Sequence, residues 1–283
     1  MDRVNLFLIG VNKAGTSWLY YVLAQHPDVF MAAEKELYFF GDEGVAGERT
    51  ATRADYHAHF PFDEHYRYFG DATVMYYRHP STADEIYAYN PEAQVLAIVR
   101  DPIQRLLSQF QYHKQLGLLD EATSLEDALD GRDPRLLRDS HYEETLPAYA
   151  ERFGNDQFTV VSLEAGRQAP NAFWERLLDT LDLPPAPRPP ADDRPENPTG
   201  SAAFRAVYRH TVQPLRHAFP GAYRWLLGSA GARWAKRALL RLLGTAGAKA
   251  EALSPELAPQ LREEFAPTYA YLQDLGLEVY ADE

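Results

Sequence analysis

The chain has 283 residues, of which 46% are hydrophobic, so it can form one large α/β domain or two small ones. It contains no cysteine, which excludes disulfide bonds, thiolate metal sites and cysteine nucleophiles. The N-terminus lacks the pattern of a signal peptide, and no apolar stretch reaches the roughly 18 residues that span a bilayer, so we expect a cytoplasmic protein.

The formal net charge is −13, but the charges are unevenly distributed. Residues 197–250 contain nine basic residues and no acidic one. This asymmetry is typical of a surface that faces an anion, and it fits equally well a set of helices whose arginines pair with an acidic body. Because the rest of the chain is acidic and the basic region lacks aromatic residues at a stacking spacing, we expect no nucleic-acid partner.

The N-terminal pattern predicts a strand, a glycine-containing loop and a helix. Residues 4–9 (VNLFLI) form an almost continuous apolar run, which is typical of a buried parallel strand. From Ser17 the apolar residues recur at helical spacing, until His26 and Pro27 close the helix. The connecting loop, GVNKAGTS, therefore lies where backbone N–H groups point toward an anion.

The pattern of a buried strand followed by a helix recurs along the chain. Residues 94–99 (QVLAIV) predict a second buried strand, and Pro102 suits the first turn of a helix that runs to about Leu116 and stops at Gly117. The remaining predicted elements are a helix over 141–153, a strand over 157–163, a helix over 173–183 and an all-helical tail over 201–275. The alternation predicts an α/β fold with a P-loop-like parallel sheet flanked by helices.

We expect a single domain over residues 1–283. Its α/β core would occupy residues 1–183, a proline-rich linker residues 184–200, and a helical C-terminal cap residues 201–283.

The loop after the first strand resembles the phosphate-binding pattern G-x-x-x-x-G-K-[ST] with one departure. Gly10 and Gly15 have the required spacing, but Thr16 occupies the lysine position and the lysine stands at position 13. The second strand is followed by Arg100, where an NTPase places a metal-binding carboxylate. A guanidinium there suits a phosphate, so the pattern indicates a metal-free nucleotide with two separated anionic groups.

Three motifs, in this order and spacing, resemble those of the PAPS-dependent sulfotransferases, whose donor is 3′-phosphoadenosine 5′-phosphosulfate. The chain is most similar to the heparan sulfate sulfotransferase type and its bacterial relatives. The K-x-G-T loop for the 5′-phosphosulfate corresponds to residues 13–16, the K-E-x-x-F-F segment to residues 35–40, and the 3′-phosphate motif R-D-P-x-x-R-x-x-S to residues 100–108. The resemblance covers about residues 4–183.

The resemblance implies a sulfotransferase fold and a transferase that moves the sulfuryl group of PAPS to an acceptor hydroxyl without a metal. It implies that Glu36 is the general base, and the apolar residues that follow Glu36 would raise its pKa. It also implies that Lys13 stabilises the bridging oxygen of the donor. The residues expected to bind the nucleotide are Lys13, Ala14, Gly15, Thr16, Ser17, Trp18, Arg100 and Ser108.

Two residues of these motifs have alternative interpretations. Trp18 is either an anchor of the first helix in the core or a residue that flanks the donor. Arg105 is either a structural residue or a further ligand. Two other function classes also remain open at this point, namely a P-loop-like small-molecule kinase and a non-catalytic nucleotide-binding module.

The sequence departs from the family near the expected site. Many relatives carry a lysine in an E-K-T-P-x-Y segment, which corresponds to residues 71–76, and that lysine is Ala72 here. A polysaccharide acceptor is therefore less expected, and the acceptor hydroxyl belongs to a small molecule, a glycan or a carrier-bound substrate. The residue that closes over the nucleotide would be Lys249 or one of the arginines after Gly200.

Two further regions of the sequence allow predictions about the acceptor cleft and about contact with a membrane. Residues 42–79 are rich in tyrosine and histidine, and we expect them to form a flap over the acceptor cleft, since the histidines are spaced too loosely for a metal site. Residues 225–243 combine basic and apolar residues at helical spacing, which allows contact with a membrane surface, although a helix packed in the core is favoured.

Overall fold

The computed structural model describes residues 3–41, 50, 52–130, 135–189, 253–277 and 279. These residues belong to two compact units. The first is drawn from Met1–Arg105, Arg138–Asp193 and Arg262–Glu283, and the second from Leu106–Leu137 and Arg194–Leu261. Most of the proline-rich linker, the basic region, Lys249 and the segment 225–243 lie outside the described residues, so the predictions made for them stay predictions.

The first unit is built on a five-stranded parallel sheet. Its strands are β1 (Leu6–Gly10), β2 (Val29–Met31), β3 (Tyr68–Asp71), β4 (Gln94–Val99) and β5 (Phe158–Ser162). Their order in the sheet is β2-β3-β1-β4-β5, and every neighbouring pair is parallel. The predicted parallel α/β sheet is confirmed, although the sequence did not predict β2 and β3.

The helices of the described residues are α1 (Thr16–Leu23), α2 (Arg53–His57), α3 (Ser81–Tyr89), α4 (Pro102–Leu116), α5 (Leu125–Leu129), α6 (Arg135–Arg138), α7 (Leu146–Phe153), α8 (Leu163–Gln168), α9 (Pro170–Thr180), α10 (Leu257–Glu264) and α11 (Ala266–Asp274), with short 3₁₀ helices at Tyr76–Arg78 and Tyr142–Glu144. Helix α5 belongs to the second unit, α4, α6 and α10 include residues of both units, and the other helices belong to the first. The bounds of α4 follow from Pro102 at its start and from Gly117, which has a φ of 72°, just after its end.

The core lies on both faces of the sheet. In β1, Phe7 and Ile9 join a cluster of aromatic residues on one face, whereas Leu6 and Leu8 join a cluster with α1 and α9 on the other. Because neighbouring residues of a strand point to opposite faces, a strand covered on both sides reads as a continuous apolar run. This explains why β1 and β4 were recognisable from sequence.

Tyr56 and residues 68–77 belong to this core, so the expectation that they form part of a flap is wrong for these residues; most of residues 52–67 are exposed, and for them the expectation stays a prediction. The core part of the segment supplies β3, which lies between β2 and β1, and the side chains of Tyr56, Tyr76 and Tyr77 are almost completely buried. Buried tyrosines require partners for their hydroxyl groups, and all three find them. A Tyr-rich stretch therefore fills the core here instead of covering a cleft.

No described helix is both long enough and apolar enough to cross a membrane. No group of three or more histidine, aspartate or glutamate side chains within the described ranges is arranged to hold a metal ion.

The sheet order places three loops side by side. Strand β1 pairs with β3 on one side and with β4 on the other, and all three run in the same direction. The loops that follow these strands therefore open at the same edge of the sheet, where ligands of open α/β sheets bind. Gly10, at the end of β1, lies directly against the ring of Tyr77.

We expect that Gly10→Ala destabilises the protein, because a Cβ at this position would lie 2.5 Å from Cδ1 and 2.8 Å from Cγ of Tyr77. Overpacking of this kind costs about 1–3 kcal/mol in the free energy of unfolding, which urea denaturation can measure. If the ring is the cause, Gly10→Ala costs less in a Tyr77→Ala background than in the wild type. Equal costs in the two backgrounds would contradict this explanation.

Candidate active site

The loop between β1 and α1 is fixed at both ends by its backbone. The N–H of Val11 donates to the carbonyl of Ile98 in β4 at 2.8 Å, and the N–H of Ala14 donates to the carbonyl of Val11 at 3.1 Å. Gly15 has a φ of 97°, and an added Cβ would lie 2.7 Å from Leu163 Cδ1, so both conformation and space favour glycine there. The loop therefore delivers the chain into α1 in one defined conformation.

The N-terminus of α1 is suited to an anion. Within the described part of the chain, no side chain caps this helix, and its first turn contains no acidic residue. The backbone N–H groups of a first turn carry partial positive charge and have no partner inside the helix. Thr16 and Ser17, both predicted donor ligands, lie in this turn, and Ala14 is fully buried just before it.

Asn12 ties the loop to the interior. Its Oδ1 accepts hydrogen bonds from the hydroxyl of Tyr77 at 2.8 Å and from Nη1 of Arg105 at 3.2 Å. Arg105 is fully buried, and its Nε donates to Oγ of Ser140 at 2.8 Å, while Nη1 lies 3.7 Å from the carboxylate of Asp139. These contacts give Arg105 a structural role, in which it holds the loop in place.

Lys13 lies in an environment that disfavours its charge. Burial, together with the positive charges of Arg105 and Arg100, lowers the pKa of Lys13 to about 8. The loop after β1 and the residue after β4 therefore share one cationic cluster. The sequence predicted that each of these residues binds one end of a donor nucleotide, and that binding role stays a prediction.

Arg100 follows β4 and is mostly buried. Burial is the main cause that lowers the pKa of Arg100, and the positive charge of the nearby Arg167 adds to it. Its Nε is buried and has no hydrogen-bond partner among the described residues, and the same holds for Oε2 of Glu164. A buried guanidinium N–H without an acceptor is costly, so a ligand oxygen at this position would be stabilising.

Trp18 and Ser108 are the other two predicted donor ligands. Trp18 packs on Phe173, with 5.2 Å between ring centroids, and it also covers Gly166, where an added Cβ would lie 2.7 Å from the indole. This placement fits the interpretation of Trp18 as a core anchor of α1. Ser108 lies on α4 in the second unit, where it is half-buried.

Glu36 lies after β2, and its Oε2 is buried without a hydrogen-bond partner in the described part of the chain. Burial raises the pKa of Glu36 to about 7. The positive charge of Lys35 lowers this pKa and the negative charge of Asp71 raises it, while hydrogen bonds from the Tyr38 side chain and the Val74 backbone favour the ionised form. A carboxylate with a pKa near neutrality can accept and release a proton under physiological conditions.

The sequence analysis missed the residues that hold the Glu36 segment. Asp71, the last residue of β3, is fully buried and accepts hydrogen bonds from the hydroxyl groups of Tyr56, Thr73 and Tyr76. Thr73 and Tyr76 in turn accept hydrogen bonds from the backbone of residues 37–40. The signal lies in the polar residues of the segment 71–76, whose Asp71, Thr73 and Tyr76 match a family segment.

Sheet order arranges these groups in a row along the carboxyl edge. The Glu36 segment is bonded to residues after β3, Lys13 follows β1, and Arg100 follows β4. A carboxylate, a lysine and an arginine thus succeed one another in that order at neighbouring strand ends.

Comparison with known proteins gives a consistent family assignment. The family described as "Sulfotransferase domain" matches residues 3–192. The chain is 30% identical over 122 residues to the membrane-associated sulfotransferase kil1 of Dictyostelium discoideum. The aligned region covers 43% of this chain and 26% of that protein. The chain is also 25% identical over 190 residues to heparan sulfate glucosamine 3-O-sulfotransferase 5 of Homo sapiens. That aligned region covers 63% of this chain and 53% of the relative. The chain thus spans about half or less of the length of these relatives.

Solved structures agree on the fold. A sulfotransferase from Alicyclobacillus acidocaldarius superimposes with a TM-score of 0.57 at 23% identity, covering 79% of this chain and all of the other. Mouse sulfotransferase SULT7A1, complexed with PAP, has a TM-score of 0.50 at 14% identity and covers 93% of this chain and 83% of that one. The predicted fold is therefore confirmed, and the chain belongs to the sulfotransferase domain family.

Proposed function

We propose that the protein is a PAPS-dependent sulfotransferase that transfers the sulfuryl group of PAPS to an acceptor hydroxyl. The observation that carries this proposal is the cationic cluster of Lys13 and Arg100 at the ends of neighbouring strands, in which Arg100 has a buried N–H without an acceptor among the residues that the structure describes. Family membership and the PAP complex of mouse SULT7A1 support it.

The donor-binding residues fit a nucleotide with an anion at each end. The first turn of α1 and Lys13 would hold the 5′-phosphosulfate through backbone N–H groups and one ammonium. Arg100 would hold the 3′-phosphate, and we propose that Ser108 adds a hydroxyl to it. Burial lowers the pKa of Lys13 and of Arg100, so each cation gains more from a bound anion than an exposed one would.

The acceptor must lose a proton during transfer, and Glu36 is the residue that we propose to take it. The hydroxyl proton passes to the carboxylate of Glu36, the acceptor oxygen bonds to sulfur, and the bond from sulfur to the bridging oxygen breaks to leave adenosine 3′,5′-bisphosphate. Lys13 stabilises the negative charge that the bridging oxygen gains.

The residues at the strand ends favour this function over a kinase. A P-loop kinase needs a lysine directly after the second glycine and a carboxylate at the end of the neighbouring strand. Here Thr16 follows Gly15, and Arg100 follows β4. Ala72, which replaces the lysine of many relatives, is buried, so we propose an acceptor that does not depend on a cation at this position, whether small molecule, glycan or carrier-bound hydroxyl.

We expect adenosine 3′,5′-bisphosphate at about 100 times its Kd to stabilise the fold by roughly 2.7 kcal/mol, whereas ATP with Mg²⁺ at the same concentration stabilises it much less. Loss of charge-assisted hydrogen bonds in Arg100→Gln should weaken the binding of adenosine 3′,5′-bisphosphate about tenfold to a hundredfold. Thermal shift and isothermal titration calorimetry measure both effects.

Arg67→Gln is the matched control for Arg100→Gln. Arg67 precedes β3 at the opposite edge of the sheet, its side chain is 46% exposed, and it pairs with Asp182 on the surface. This variant should bind adenosine 3′,5′-bisphosphate as the wild type does. A nucleotide affinity that is the same in wild type and Arg100→Gln would contradict the proposed donor site.

Glu36→Gln should lower kcat by about 10²–10⁴-fold with little change in donor affinity, since it removes the proton acceptor but keeps the shape of the side chain. In the wild type, kcat/KM for the acceptor at saturating PAPS should rise with pH through a limb at or slightly above 7, because only the ionised form of Glu36 is active and the bound donor adds negative charge. Initial rates between pH 5 and 9 check both expectations.

Glu34→Gln is the control for Glu36→Gln, because Glu34 lies two residues earlier and its side chain is 50% exposed. This variant should keep both the rate and the pH limb. Retention of kcat in Glu36→Gln would remove the assignment of the base.

Lys13→Ala should lower kcat by about a hundredfold in addition to raising the KM for PAPS, because the lysine acts on charge that develops as the bond breaks. Steady-state kinetics with both substrates varied separates the two effects. A loss confined to the KM for PAPS, with kcat intact, would show that Lys13 only binds the donor.

A further inference from the structure

We propose that Asp71 positions Glu36, acting through the hydroxyl groups of Thr73 and Tyr76 on the backbone of residues 37–40. This inference rests on the proposed role of Glu36 as the general base. It assigns to the segment after β3 a function that does not involve contact with either substrate.

The geometry forms two layers of hydrogen bonds. In the first layer, Oδ1 of Asp71 accepts from Thr73 at 2.7 Å, and Oδ2 accepts from Tyr76 at 3.0 Å and from Tyr56 at 2.9 Å. In the second layer, the Thr73 and Tyr76 oxygens accept from four consecutive backbone N–H groups, with donor–acceptor distances of 3.0 Å for Leu37, 3.3 Å for Tyr38, 3.0 Å for Phe39 and 3.4 Å for Phe40.

The direction of these hydrogen bonds follows from proton counting. A hydroxyl group has one proton and two lone pairs. The lone pairs of the Thr73 and Tyr76 hydroxyl oxygens accept hydrogen bonds from the N–H groups of residues 37–40. Each hydroxyl O–H is therefore left to donate its hydrogen bond to the carboxylate of Asp71. Asp71 therefore acts only as an acceptor, and its carboxylate fixes the orientation of both hydroxyl groups.

Burial makes this arrangement rigid. Asp71 and Thr73 are fully buried, and Tyr76 is 1% exposed. A buried carboxylate is costly unless hydrogen bonds compensate it, so the three hydroxyl donors are held firmly. The ring of Phe39 also stacks on that of Tyr56, with 4.3 Å between centroids and 8° between planes. The four residues that follow Glu36 thus have little freedom to move.

The same segment also contacts the donor loop. Tyr77, next to Tyr76, donates its hydroxyl proton to Oδ1 of Asn12 at 2.8 Å, and Asn12 precedes Lys13. One short stretch, residues 73–77, therefore bonds both to the segment of the base and to the loop of the catalytic lysine. This connection fixes the separation of the two segments, on which the rate of an in-line transfer depends strongly.

Asp71 has a second, electrostatic effect on Glu36. The charged groups that face Glu36 are Lys35, which lowers its pKa, and Asp71, which raises it, and the hydrogen-bonding groups are Tyr38 and the Val74 N–H. Removal of the Asp71 charge should therefore move the pKa of Glu36 downward. A residue that held the segment without carrying a charge would have no such effect on the pH profile.

Two tyrosine variants test the positioning role. Tyr56 and Tyr76 both donate to Oδ2 of Asp71 and both are buried, but only the Tyr76 oxygen accepts from the Glu36 segment. We expect Tyr76→Phe to lower kcat about tenfold to a hundredfold and Tyr56→Phe to leave kcat within about twofold, with similar losses of thermal stability and unchanged affinity for adenosine 3′,5′-bisphosphate. Equal kcat values in the two variants would overturn the proposal.

Thr73 and Asp71 provide further tests. Thr73→Ser keeps the hydroxyl and should retain kcat, whereas the isosteric Thr73→Val should lose it about as Tyr76→Phe does. Asp71→Asn should shift the acid limb of the pH profile to lower pH. An unshifted limb, or equal kcat in Thr73→Val and Thr73→Ser, counts against the inference.

The outcome for Glu36→Gln separates this inference from the proposed function. If Glu36→Gln retains kcat, the assignment of the base fails, and the positioning role fails with it. If Glu36→Gln is inactive but Tyr76→Phe and Tyr56→Phe behave alike, only the positioning role fails.

Discussion

The position of β1 between β3 and β4 in a parallel sheet is the constraint on which the site depends. Because neighbouring parallel strands end at the same edge of the sheet, residues that are distant in sequence come together there through strand pairing. Lys13 and Arg100 are brought together by the pairing of β1 with β4, and the Glu36 segment is bonded to the residues that follow β3. The order of the strands thus determines which charged residues become neighbours, and the loop conformations determine how their side chains are oriented.

Burial at this edge acts on both signs of charge. It lowers the pKa of Lys13 to about 8 and raises that of Glu36 to about 7, so each group is moved toward its neutral form. Neither charge is well stabilised by the protein alone, and Arg100 adds a buried N–H without an acceptor among the described residues. A site of this kind destabilises the folded protein slightly, and an anion bound beside the two cations would offset that cost.

The sequence predicted the parts of the fold that have local signals. Strand β4 and helix α4 have the predicted bounds, because β4 is a run of apolar residues and α4 lies between Pro102 and Gly117. Strands β2 and β3 have only three and four residues, so no periodicity could reveal them, and they exist because of pairing within the sheet. The candidate site shows the same division: Lys13 and Arg100 were expected from the patterns that follow two apolar strands, and Glu36 from the family resemblance, whereas the Asp71 network joins side chains whose proximity only the fold determines.

Ala72 stands where many relatives carry a lysine, and the fold gives this position a role in packing. Ala72 belongs to the core cluster on one face of the sheet, while Asp71, its neighbour, bonds to Tyr56 and Tyr76 of the aromatic cluster on the other. The charges that act on Glu36 come from other residues: Lys35 lowers its pKa, whereas burial and Asp71 raise it. Position 72 therefore contributes apolar packing and adds no charge at this edge of the sheet.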